Sequence, residues 1–146
     1  MPKKNHDVGL LLLIIKHLEE LKGRTRLQKI TYLLKEKYGF DLSYKFMPYY
    51  YGPYADDVQN TIDTLSRLDI IKVEPVFLGE GRLLYVHTLT ERGKQLTNEV
   101  EREIPKEEKE KLWRAIDELN ELGNDALIQK AKDLMKERLG KIAYLY

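Results

Sequence analysis

Midway along a chain whose apolar residues otherwise recur at helical spacing, Gly79–Glu80–Gly81 separates two runs that read as strands. Ile70 to Leu78 contains Ile71, Val73, Val76 and Phe77, and Arg82 to His87 contains Leu84, Tyr85 and Val86. β-branched and aromatic residues on either side of a turn that accepts positive φ predict an antiparallel hairpin. Pro75 has no N–H to give a neighbour, so its strand belongs at a sheet edge. The chain is therefore expected to be mainly α with an α+β element at its centre.

The flanking segments supply the helices. Asp7 to Leu21 carries Leu10, Leu11, Ile14, Ile15 and Leu18, with Asp7 as the expected N-cap and Gly23 as the stop. Thr25 to Tyr38 puts Leu27, Ile30, Leu33 and Leu34 on a buried stripe and Arg24, Arg26, Lys29, Lys35 and Lys37 on the opposite face. A third helix, Ala55 to Leu68, opens with Asp56 and Asp57, where the macrodipole favours negative charge. Past the hairpin, Thr88 or Thr90 caps a helix that ends near Pro105. Pro105 to Leu122 follows, and after Gly123–Asn124–Asp125 a last helix carries Leu127, Ala131, Leu134, Met135 and Ile142.

Three helices, a hairpin and further helices are the order of a winged helix-turn-helix with a β-hairpin wing. Residues 1–104 are expected to form that domain and 105–146 a C-terminal helical extension. The stripe Leu112, Trp113, Ile116 and Leu119 on the first of the added helices predicts a homodimer interface.

Composition excludes several chemistries. With no cysteine among 146 residues there is no disulfide, thiolate metal site or cysteine nucleophile. His6, His17 and His87 fall at no metal-binding spacing. Ser43 and Ser66 lie in no nucleophile elbow, and the Gly79–Gly81 turn is too short to cradle a phosphate. The expectation is a protein that is not an enzyme and carries no cofactor or metal. The apolar run Leu10–Ile15 falls far short of the about 20 residues that span a membrane. No signal peptide is expected, so a cytoplasmic location is.

Charge is uneven although the net is +1. Met1 to Tyr50 holds 10 Lys+Arg and 5 Asp+Glu, and the rest of the chain is net acidic. Arg24, Arg26, Lys29 and Lys45, with Arg82 on the wing, are the candidate phosphate contacts. Gln59 and Asn60 on the third helix are candidates for reading base edges, although Asp56 and Asp57 in its first turn would repel phosphates. The other unusual feature is aromatic. Tyr44, Phe46, Tyr49, Tyr50, Tyr51 and Tyr54 fall within eleven residues. The tyrosines Tyr44, Tyr49, Tyr50, Tyr51 and Tyr54 suit a protein interface, could stack on unpaired bases, or could simply fill the gap between two helices.

Two resemblances sharpen these readings. Leu68-Asp69-Ile70-Ile71, the Gly-Glu-Gly-Arg turn and Tyr85-Val86-His87-Thr88-Leu89-Thr90-Glu91-Arg92-Gly93 resemble the wing of MarR- and PadR-type regulators. Three residues, Val86, His87 and Thr88, stand between Tyr85 and Leu89, where those regulators place one. Arg26-Leu27-Gln28-Lys29-Ile30-Thr31-Tyr32-Leu33-Leu34, with Tyr50-Tyr51-Gly52-Pro53-Tyr54 and the following helix, resembles the Panacea (SocA-like antitoxin) domain. The first implies DNA binding and the second a protein partner. Two functions stay open: a non-enzymatic winged-helix regulator that binds DNA, or an antitoxin-like or adaptor module that binds a protein through the tyrosine arm.

Overall fold

A computed structural model describes residues 3–140. Its elements are α1 (Lys3–Leu18), β1 (Leu21–Lys22), α2 (Arg24–Glu36), β2 (Met47–Tyr49), β3 (Gly52–Tyr54), α3 (Asp56–Arg67), β4 (Ile71–Gly79), β5 (Arg82–Leu89), α4 (Glu91–Glu103), α5 (Lys106–Asn120) and α6 (Asn124–Leu139). Mostly helical with small antiparallel sheets, the protein is α+β.

The central helix is α1. Leu10 to Ile15 are all buried, because six consecutive apolar residues point to every side of a helix and such a helix is stable only when enclosed. α4, α5 and β5 surround it. Asp7 is not its cap. The helix begins earlier, and the buried Asp7 carboxylate accepts from the Ser43 backbone N–H (3.0 Å) and from the Ser43 hydroxyl. An extended stretch is thereby tied to α1, with Phe40, Leu42 and Tyr44 directed inward.

The expected hairpin is present. Strand order is β1-β5-β4, and β4 pairs antiparallel with β5 from Ile71↔Leu89 to Phe77↔Leu83. Pro75 lies on the outer strand, where its missing donor costs no ladder bond. β1 is only two residues long, paired Leu21↔His87 and Lys22↔Val86, and no periodicity of two residues announces it. Gly23 then turns into α2 at φ 111°, with its N–H on the Tyr85 carbonyl at 2.9 Å. His87 is fully buried, its Nδ1 3.0 Å from the Leu21 carbonyl. Burial lowers its pKa from the usual value.

Thr90 caps α4 as expected. Its hydroxyl oxygen accepts from the Gly93 N–H at 3.0 Å, and the hydroxyl lies 2.7 Å from the Asp69 carbonyl. The Leu-Thr-x-x-Gly stretch at 89–93 thus fastens the start of α4 to the end of α3.

The C-terminal helices alter two expectations. α5 and α6 fold back over α2, and α5 also reaches α1. A single core runs from Leu10 to Met135 across the expected 104/105 boundary. Leu112, Ile116 and Leu119 are buried within this chain, so they cannot also face a second copy unless the core opens. Trp113 stacks on His17, with ring centres 4.4 Å apart. Ile142 lies outside the described residues.

Candidate functional site

α2 is buried without interruption from Leu27 to Leu34. The middle of its basic face, around Lys29, is therefore not a solvent face: α6 and the β2–β3 hairpin cover it. Lys29, expected to meet phosphate, is only 2% exposed and donates from Nζ to the Pro53 carbonyl at 2.8 Å. Arg26 reaches α5 and α6, donating to the Asn120 carbonyl (2.9 Å) and to Asn124 Oδ1 (3.0 Å). Gln59 donates to Asp63 on its own helix. Arg24, Lys45, Asn60 and Arg82 are exposed. They stand apart in the fold, with Arg24 against Tyr85 midway along the β4–β5 hairpin and Arg82 at its tip.

The tyrosine segment forms a tight hairpin. Met47↔Tyr54, Pro48↔Pro53 and Tyr49↔Gly52 are paired, and Tyr50–Tyr51 makes the turn. Two facing prolines can contribute no N–H, so this ladder has little strength of its own. α2 supplies what is missing. The buried Gln28 side chain donates to the Ala55 carbonyl (3.0 Å) and accepts from the Ala55 N–H (2.9 Å), while the adjacent Lys29 holds the Pro53 carbonyl two residues earlier in the chain. Gly52 has φ 99°, and a Cβ there would stand 3.2 Å from Lys132 Cγ and 3.3 Å from Lys29 Cε. Only glycine lets the hairpin sit this close to both helices.

The tyrosines divide. Tyr44 is buried, its hydroxyl on Thr61 Oγ1 at 3.2 Å, and burial pushes its pKa up to about 12. Tyr54 is half-buried. Tyr49, Tyr50 and Tyr51 are 50, 79 and 62% exposed. Their rings meet edge to face, Tyr50 against Tyr51 at 4.8 Å and Tyr49 against Tyr54 at 5.4 Å. Beside them a shallow cleft of about 350 Å³ runs between the hairpin and the start of α2. Arg24 stands at its edge with its guanidinium 3.8 Å from the centre of the Tyr85 ring.

Burial, and next the positive charge of Lys132, hold the Lys29 ammonium down to about 8. Its pKa in the unfolded chain is the ordinary 10.5. Below pH 8 it is charged in both states, and the native state bears the cost of burying it. Between 8 and 10.5 the unfolded chain binds a proton that the native chain does not, so stability rises with pH. Wild-type stability measured against Lys29→Met should therefore grow by about 1–2 kcal/mol from pH 7.5 to 9.5. Tyr44 works in the opposite direction only above pH 10. A flat difference across this window would mean that Lys29 is not buried.

The sequence showed the aromatic cluster but not what anchors it. Gln28 and Lys29 stand in one motif and Gly52-Pro53 in another, and the fold brings the two motifs into contact. Lys132 carried no signal at all. Among the described residues no group of three or more histidine or acidic side chains could hold a metal ion, and no helix is long and apolar enough to cross a membrane. No family model matches the chain, and no curated protein matches it significantly.

Proposed function

We propose that this chain is a winged-helix-type regulatory module of the cytoplasm that acts by binding rather than catalysis, and that the tyrosine hairpin is where it holds a partner protein. The anchoring of that hairpin carries the reading. Two buried polar side chains of α2, Gln28 and Lys29, fix a proline-stiffened hairpin whose turn presents three tyrosines to solvent. Burying polar groups is costly unless they are paired, and these are spent on holding a surface feature still. Rigid aromatic anchors lose little entropy on binding, which is why they concentrate interface energy.

Single substitutions test the reading. Tyr49→Ala, Tyr50→Ala and Tyr51→Ala should each change stability by no more than about 0.5 kcal/mol. Tyr44→Ala should cost about 3–5 kcal/mol, as a buried aromatic does. The exposed-site variants should melt normally yet lose a protein that the wild type captures from its host. If all four destabilise alike, the hairpin is only structural. If the exposed variants still capture the partner, the reading fails.

A second reading, DNA binding, is favoured by the three helices followed by a β4–β5 hairpin with Arg24 against its middle and Arg82 at its tip. It meets two obstacles. Arg26 and Lys29 are committed inside the chain, and the exposed Asp56 and Asp57 occupy the first turn of α3. Salt-dependent binding of duplex DNA that is lost in Arg24→Ala and Arg82→Ala would favour it over the tyrosine site.

A further inference from the structure

The cleft beside the tyrosine hairpin has a definite electrical character. Its lining includes Arg24, Lys29, Thr25 and the exposed tyrosines, and no acidic side chain among the described residues. Lys132 of α6 extends the same sign across the hairpin, its Nζ 5.6 Å from the centre of the Tyr50 ring. Arg24 and Lys132 form no ion pair with any described residue, and Lys29 gives its ammonium to the Pro53 carbonyl. Lys132 is near enough to Lys29 that, after burial, its charge depresses the protonation of Lys29. On a chain whose net charge is only +1, an aromatic cleft bordered by Arg24 and Lys132, neither with a counter-charge among the described residues, is complementary to an anion with an apolar body.

We propose that this cleft receives an acidic linear segment of a partner protein, a large apolar side chain seated among the tyrosine rings and flanked by carboxylates that meet Arg24 and Lys132. The proposal rests on reading the tyrosine hairpin as a partner site and adds the chemistry of its occupant. A volume of about 350 Å³ suits one large side chain. Arg24 is held ready by its stacking on Tyr85, so it loses little freedom when it grips a carboxylate. A long polyanion fits less well than a short acidic motif. Asp56 and Asp57 open α3 immediately after the hairpin, and the charge of Asp56 already raises the pKa of Tyr54, after burial. A phosphate backbone continuing past the cleft would meet those carboxylates, while a short peptide ends before them.

Selection of phage-displayed random dodecapeptides on the full chain tests this. The enriched peptides should carry Asp or Glu beside a large apolar residue. A synthetic peptide of the enriched sequence should bind roughly tenfold more tightly than its Lys-substituted counterpart. Tyr50→Ala with Tyr51→Ala should abolish binding without shifting the melt. Arg24→Glu with Lys132→Glu, checked for folding by circular dichroism, should reverse the preference toward basic peptides. Tyrosine-dependent enrichment of neutral or basic peptides overturns the acidic occupant and leaves the tyrosine site standing. No enrichment, or enrichment indifferent to the tyrosine substitutions, overturns both. Tighter tyrosine-dependent binding of a labelled single-stranded oligonucleotide than of any selected peptide also overturns the proposal, since it would make the site a base-stacking platform.

Discussion

Gly93→Ala should destabilise the protein by about 3–5 kcal/mol, among the larger losses a single methyl group can cause. A Cβ on Gly93 would lie 1.9 Å from the Ile70 carbonyl oxygen and 3.0 Å from its carbon. That carbonyl cannot step aside, because it accepts from the Thr90 N–H at 3.1 Å and opens the turn into β4. Nor can α4 slide, since Thr90 caps it and contacts Asp69 at the same time. The backbone at Gly93 is ordinary helix, so the cost is steric and owes nothing to φ. Gly123→Ala is the control: nothing lies within 4 Å of a Cβ there, and its change should stay within about 1 kcal/mol. Urea denaturation of the two variants decides the matter. If Gly93→Ala unfolds at the wild-type midpoint, the close approach of α4 to the end of α3 is not as described.

The second large effect is expected at Gln28. Gln28→Ala removes the side chain that meets the Ala55 N–H, while the Ala55 carbonyl keeps the Val58 N–H at 3.1 Å. An orphaned buried donor and a small cavity together should cost about 2–4 kcal/mol. The loss should be local before it is global, because the two-proline hairpin has few bonds of its own. Chymotrypsin cuts after exposed tyrosines, so cleavage at Tyr50 and Tyr51 should quicken well below the melting temperature. Gln28→Glu separates polarity from volume. It keeps the acceptor for the Ala55 N–H but turns a second oxygen toward the Ala55 carbonyl, so it should not restore the wild type. A Gln28→Ala variant that melts and is cleaved like the wild type would show that α2 does not anchor the hairpin, and the rigid-anchor reading of the tyrosines would go with it.

These two positions show the same thing from opposite ends. Gly93 and Thr90 stood out in the sequence as part of a motif resembling a regulator's wing, and the structure gives the motif a purely mechanical reason. Gln28 and Lys29 stand in a motif resembling a different domain, where helical spacing alone places Lys29 on a surface. The fold differs for one reason: the face of α2 that carries Lys29 is covered by a hairpin some 24 residues later and by a helix at the far end of the chain.

The chain by itself determined whatever depends on neighbours a few residues apart. Gly79–Glu80–Gly81 set the hairpin turn, with Glu80 at φ 54° and Gly81 at φ 74°. Pro75 set the edge strand, Thr90 the helix cap, and Gly123 the break before α6. Leu10 to Ile15 announced an apolar helix, though not that it would be enclosed on every side. Tertiary structure alone decided which polar residues would be hidden. Asp7 became an internal tie to Ser43, Arg26 was drawn to Asn124 across 98 positions of chain, and Leu112, Ile116 and Leu119 closed the chain's own core. A residue's local pattern fixes its helix face, but what lies against that face is settled by the return of distant segments. For this protein the return of α5 and α6 over α2 turned a basic surface into the buried support of a tyrosine hairpin.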